Sequence, residues 1–128
     1  MSRESTVTSQ IRLDAAQHNI DLWRNNSGGF YDERGAFIRY GLGSFTEKQE
    51  LKSSDYIGIT PVFIMPEHVG QVLGVFTAVE IKHEGWKFNT NDKRALHQKN
   101  FIDMVLSRGG YAGFAPTIQD FRRIIKHG

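Results

Sequence analysis

The segment from Val72 to Val79 is apolar on both faces of an extended chain, and it constrains the fold more than any other stretch. Side chains along a strand alternate between the two sides of a sheet. Here the even positions carry Val72, Phe76 and Ala78, and the odd ones carry Leu73, Val75 and Val79. A strand without a polar face belongs in the interior of a sheet covered by helices on both sides. The fold class that follows is α/β, a small mixed β-sheet flanked by α-helices. The 128 residues are one domain's length, and 39% hydrophobic with 23% charged residues is a globular composition rather than a disordered one. A single domain over residues 1–128 is therefore expected.

The other elements follow from periodicity and punctuation. Ser2 can cap a first helix with Val7, Ile11 and Ala15 on its inward stripe, ending near His18 and Asn19. Strands are expected over 20–25 and over 30–40, the latter broken at Asp32 to Gly35, with a loop over 41–54. The stretches 55–65 and 72–82 read as an antiparallel hairpin turning at Pro66 to Gly70. A second helix starts near Asn91 or Asp92, turns Ala95, Ile102, Val105 and Leu106 inward and stops at Gly109-Gly110. A short strand over 111–115 follows. A last helix opens at Pro116-Thr117, with Ile118, Phe121 and Ile125 inward.

Several chemistries are excluded at once. There is no cysteine, hence no disulfide, thiolate metal site or cysteine nucleophile. The five histidines show no ligand spacing that fits zinc. No apolar run approaches the ~20 residues that span a bilayer, and Met1 to Gln10 is too polar for a signal peptide, so a soluble cytoplasmic protein with no membrane partner is expected. Sixteen Lys plus Arg against fourteen Asp plus Glu give a net charge of +2, which permits a polyanionic partner.

Charge appears abruptly where the apolar run ends. Glu80 and Lys82, two apart on a strand, leave the same face of the sheet. That pattern fits a same-face ion pair at a strand end as well as a site. In a hairpin centred between Glu67 and His68, Asp55 lies opposite Glu80, and two facing carboxylates are destabilising unless a cation lies between them. Two hard oxygen donors there suit Mg²⁺ or Mn²⁺, with Lys82 beside the metal. Glu4 heads the stripe of the first helix and Gln98 interrupts that of the second, so both converge on the same set.

Together these residues resemble the virus-type replication-repair branch (VRR-NUC) of the PD-(D/E)XK nuclease superfamily, in its stand-alone bacteriophage form. The resemblance runs through Glu4 ahead of Ile11-Arg12-Leu13, Leu22-Trp23-Arg24-Asn25-Asn26, Gly41-Leu42, Ser54-Asp55-Tyr56-Ile57-Gly58-Ile59-Thr60-Pro61, Val79-Glu80-Ile81-Lys82, Gln98 with Asn100-Phe101, and Gly109-Gly110-Tyr111-Ala112-Gly113-Phe114. It departs at Ser54, where many relatives place proline, a backbone constraint and not a ligand.

The resemblance implies a restriction-endonuclease-like core and metal-dependent hydrolysis of DNA phosphodiesters. Asp55, Glu80 and the Ile81 carbonyl would hold Mg²⁺ or Mn²⁺, with Glu4 joining directly, through water or at a second ion. Lys82 would orient or deprotonate the attacking water, and Gln98 would position it. Arg24, Asn25, Lys52, Lys87, Lys93, Arg94 and Lys99 would grip the DNA backbone. The implied substrate is branched DNA, as for Holliday-junction resolvases, cut by a homodimer in the cytoplasm of a bacterial host cell if the chain is phage-encoded. Two alternatives stay open: a nuclease or nickase indifferent to DNA structure, and an inactive nucleic-acid-binding module.

Overall fold

The computed structural model describes residues 3–26, 28–41 and 54–126, with the backbone alone at 3, 4, 28, 39 and 40. The capping role of Ser2 and the loop residues 42–53 lie outside the described residues. Among those described, the chain is mixed α/β, with three helices and three two-stranded sheets. It divides into two compact units, Met1–Thr60 and Pro61–Gly128.

In the first unit, α1 (Arg3–Gln17) is the expected helix. It ends in a Schellman motif: Asn19 takes the left-handed conformation at φ 57°, Asn19 N donates to Ala16 O and Ile20 N to Ala15 O. Of the expected inward stripe only Ala15 is buried, while Val7 and Ile11 remain about half exposed. β1 (Asp21–Arg24) pairs antiparallel with β4 (Tyr56–Ile59), Leu22 opposite Gly58. The ladder depends on that glycine, because a Cβ at position 58 would collide with the Asp21 carbonyl oxygen. β2 (Gly28–Tyr31) and β3 (Phe37–Tyr40) form the second antiparallel pair. Their turn lies where the sequence breaks, with Asp32 Oδ1 accepting from the amides of Arg34 and Ala36 and Gly35 at φ 83°.

In the second unit, β5 (Thr77–Ile81) and β6 (Tyr111–Ala115) are parallel and joined through α2 (Lys93–Ser107), a βαβ crossover. Asp92 caps α2 by accepting from Ala95 N at 3.1 Å. The helix closes with a second Schellman motif, Gly109 at φ 85° and Gly110 N donating to Val105 O. α3 (Ile118–Ile124) starts at Thr117, whose hydroxyl accepts from Asp120 N. Both α2 and α3 pack on β6. Ala95, Ile102 and Val105 of α2 are buried with Ala112 and Ala115 of β6, and Ile124 of α3 sits where a side chain on Gly113 would be. No helix of the described residues is long and apolar enough to cross a membrane.

Three expectations are corrected. The hairpin between 55–65 and 72–82 does not form, since β4 pairs with β1 and β5 with β6. Strand parity marks which residues share a face but not which strand lies beside it. β5 reaches its parallel partner β6 through α2, and the two-faced apolar run lies mostly ahead of β5, which is one strand of a two-stranded sheet and not an interior strand. The strands are also shorter than expected. Residues 60–65 and 71–76 carry no strand, and Val72, Leu73 and Val75 are exposed. Leu106 and Ile118, expected inward, are exposed as well: the buried stripe of α2 runs through its neighbour Val105, and Ile118 is the first residue of its helix.

Candidate functional site

The second unit assembles three of the expected site residues around one amide. Glu80 lies in β5, and Lys82 follows the strand on the same face, with its amide extending the parallel ladder to Ala115 O at 3.1 Å. Across from them α2 supplies Gln98. Lys82 Nζ donates to Gln98 Oε1 at 2.9 Å, and Gln98 Nε2 donates to Glu80 Oε1 at 2.9 Å. All three side chains are half-buried, so these charge-assisted bonds are less diluted by water than surface ones. Only one orientation of the Gln98 amide satisfies both partners, with oxygen toward the ammonium and nitrogen toward the carboxylate. Among the described residues no ion pair joins Glu80 to Lys82. The same-face pair anticipated at the strand end is a bridged triad instead.

The aromatic residues around Lys82 were not among those singled out as site residues. Its Nζ lies 5.2 Å from the centroid of the Trp86 ring and 5.7 Å from that of Phe114, within cation–π range of both. Trp86 and Phe114 are in ring contact at 4.7 Å, and Phe88 adjoins Phe114 at 5.9 Å. Two local features build this wall. Gly85, at φ 87°, lets the chain turn so that Trp86 N donates to His83 O, and the parallel register sets Phe114 beside Glu80. The legible signal was the Lys82-x-x-x-Trp86 spacing across a glycine turn. Register was not legible.

Glu80 and Gln98 border a cleft of about 720 Å³ that is also lined by Arg94, His97 and Phe101 of α2. One oxygen of Glu80 is engaged by Gln98, and no hydrogen bond of the described residues occupies the other. Glu80 therefore offers a carboxylate oxygen toward this cleft, whose lining does not include Lys82.

In the first unit, Asp55 is exposed just before β4. Asn25 fixes that corner: its amide N donates to Asp55 O and its side-chain Nδ2 to Ser54 O, both at 2.8 Å. The Ser54 hydroxyl donates to Tyr56 O at 2.8 Å, so hydrogen bonds hold this corner. Asp55 lines a polar cleft together with Thr8 and Arg12 of α1 and with Arg24 and Asn25. Glu4 lies in the first turn of α1. The expectation that set Asp55 opposite Glu80 rested on the hairpin and falls with it.

Of the expected DNA-gripping residues, Lys87, Lys93 and Arg94 are exposed, and Arg24 is oriented by a bond from its Nε to Asn26 Oδ1 at 3.1 Å. Lys99 is tied to Asp103 at 2.7 Å one helical turn on, and Lys52 lies outside the described residues. Among the described residues no group of three or more His, Asp or Glu side chains is gathered that could hold a metal ion. Comparison with protein-family models, with curated proteins and with solved structures finds no match to this chain.

Proposed function

We propose that the chain is a metal-dependent DNA endonuclease that hydrolyses phosphodiester bonds. The observation that carries this reading is the Glu80–Gln98–Lys82 triad, in which a helix amide holds a strand carboxylate and the ammonium that follows it side by side, with Glu80 and Gln98 bordering a cleft. A restriction-endonuclease-like core is part of the proposal.

The residues present fit a hard divalent cation. Mg²⁺ is usually held by one or two carboxylates and keeps its waters and the substrate phosphate as remaining ligands, so a three-acid cage is not required. Within the second unit, Glu80 offers a carboxylate oxygen and Ile81 a backbone carbonyl. When bound, Mg²⁺ or Mn²⁺ supplies positive charge to a phosphate that gains negative charge during attack.

The protein's own contribution is positioning and electrostatics. Lys82 uses one of its three N–H groups on Gln98 and keeps two to donate to a phosphate oxygen or to the attacking water. Gln98 keeps that ammonium from collapsing onto Glu80, which leaves the carboxylate for the cation. Trp86 and Phe114 shield one side of the ammonium, where they limit its rotamers. Water attacks phosphorus in line, the bond from phosphorus to the 3′ oxygen breaks, and the leaving oxygen takes a proton. The products are 5′-phosphate and 3′-hydroxyl ends.

The finer reading is structure-selective cutting of branched DNA by a homodimer, with one site for each of two strands. Cleavage of labelled four-way junctions and matched linear duplexes in Mg²⁺, Mn²⁺ or EDTA tests it. Metal-dependent cutting of the junction alone supports the finer reading. Equal cutting of both leaves a nuclease indifferent to DNA structure, and binding without cutting in any metal overturns the enzyme reading.

A further inference from the structure

We propose that the polar cleft of the first unit binds one phosphodiester of the DNA backbone, with Arg12 and Arg24 as its two cationic arms; this rests on the reading of the chain as a DNA-acting enzyme. In the sequence Arg12 is part of the resemblance but carries no assigned site role. It enters here because the face of α1 that lines the cleft is polar throughout: Ser5, Thr8, Ser9 and Arg12 recur at the spacing of a single helical stripe. A helix packed beside a strand ladder would ordinarily turn apolar side chains to that position, as Val7 and Ile11 do in the adjoining cleft with Leu22.

The charge balance of the cleft favours an anion. Two guanidinium groups and one carboxylate, Asp55, line it, with the remaining polar side chains uncharged. Its hydroxyl and amide groups are partly committed to the protein, as Ser9 Oγ donates to Ser5 O and Asn25 Nδ2 to Ser54 O. The arginines are not so committed. Among the described residues no hydrogen bond or ion pair engages Arg12. Arg24 uses only Nε, on Asn26 Oδ1 at 3.1 Å, which orders the guanidinium while leaving its two terminal nitrogens for a ligand. A planar fork with two free N–H-bearing nitrogens matches two oxygens of one phosphate, and holding it in place beforehand reduces the entropy lost on binding.

The test is anisotropy titration of a fluorescent linear duplex in EDTA, between 50 and 200 mM salt, with wild type, R12A, R24A and R12K. Each phosphate contact contributes about 0.9 to the slope of log affinity against log salt, so R12A and R24A should each flatten the slope by about that amount and weaken binding about fivefold at 0.15 M salt. R12K, which keeps the charge, should keep the slope. A slope and affinity unchanged in both R12A and R24A would overturn the clamp. The readout needs no cutting. A protein that shows this arginine-dependent slope but cleaves nothing in metal keeps the clamp and loses the nuclease reading, whereas cutting with an unchanged slope does the reverse.

Discussion

The ammonium of Lys82 donates to the side-chain oxygen of Gln98 at 2.9 Å, so an amide from α2 fixes the lysine, not the carboxylate two residues before it on the strand. Gln98 spends its other end on Glu80, and the two charges are held near each other without neutralising one another. An ordinary strand-end ion pair would have brought them into direct contact, and a pair so closed would have little left for a substrate.

Replacing Gln98 by Leu should therefore impair turnover rather than binding. Loss of both bonds lets Lys82 and Glu80 close on each other. A misplacement of about 1 Å in a catalytic group costs on the order of a hundredfold in rate. Steady-state kinetics should show kcat falling by tenfold or more with KM nearly unchanged, and the Lys82→Ala variant should gain little further loss from Gln98→Leu because the two act as one unit.

Trp86→Ala removes the larger ring beside Lys82, 5.2 Å from its Nζ. A cation–π contact at a half-buried position is worth about 1 to 2 kcal/mol, or roughly a 5- to 30-fold loss in rate if it positions the ammonium in the transition state. Trp86→Phe should restore most of that loss. Equal losses in Trp86→Ala and Trp86→Phe would mark a packing role in place of a positioning one.

Glu80→Gln should weaken Mn²⁺ binding by at least tenfold, measured by calorimetry on the folded protein, because one hard anionic oxygen donor is replaced by a neutral amide. Unchanged Mn²⁺ affinity in Glu80→Gln would remove Glu80 from the ligand set.

Gly58→Ala should destabilise the first unit by more than about 2 kcal/mol in urea denaturation, since the added Cβ meets the Asp21 carbonyl oxygen across the β1–β4 ladder. Gly74→Ala is the control: nothing lies within 4 Å of a Cβ there, and its effect should be near zero. Comparable losses at both positions would contradict the close approach of the two strands.

Much of the second unit was legible in the sequence because its boundaries carry local chemistry. Asp92 and Gly109-Gly110 mark the ends of α2 and Thr117 marks the start of α3, the caps through side-chain oxygens that accept from the first turn and Gly109 through its positive φ. Glu80, Lys82 and Gln98 were legible as a set because strand parity and a break in a helical stripe are both periodic signals. Pairing was not. The stretches at 55–65 and 72–82 looked like neighbours because they are adjacent in sequence and separated by a turn, but β4 takes β1 and β5 takes β6. With that register went the argument for Asp55 opposite Glu80. The aromatic wall was hidden for the same reason, since Phe114 reaches Lys82 only through the parallel register. Arg12 was hidden because one polar stripe on an amphipathic helix ordinarily faces water.

In the proposed reading Lys82 serves chemistry, held for it by Gln98. The most direct measurement is single-turnover cleavage of a labelled four-way junction in Mg²⁺ by wild type and Lys82→Ala, with thermal unfolding and junction binding measured on the same samples. The variant should fold, bind the junction with nearly wild-type affinity and lose cleavage by a hundredfold or more. A folded variant that cuts at the wild-type rate would contradict it.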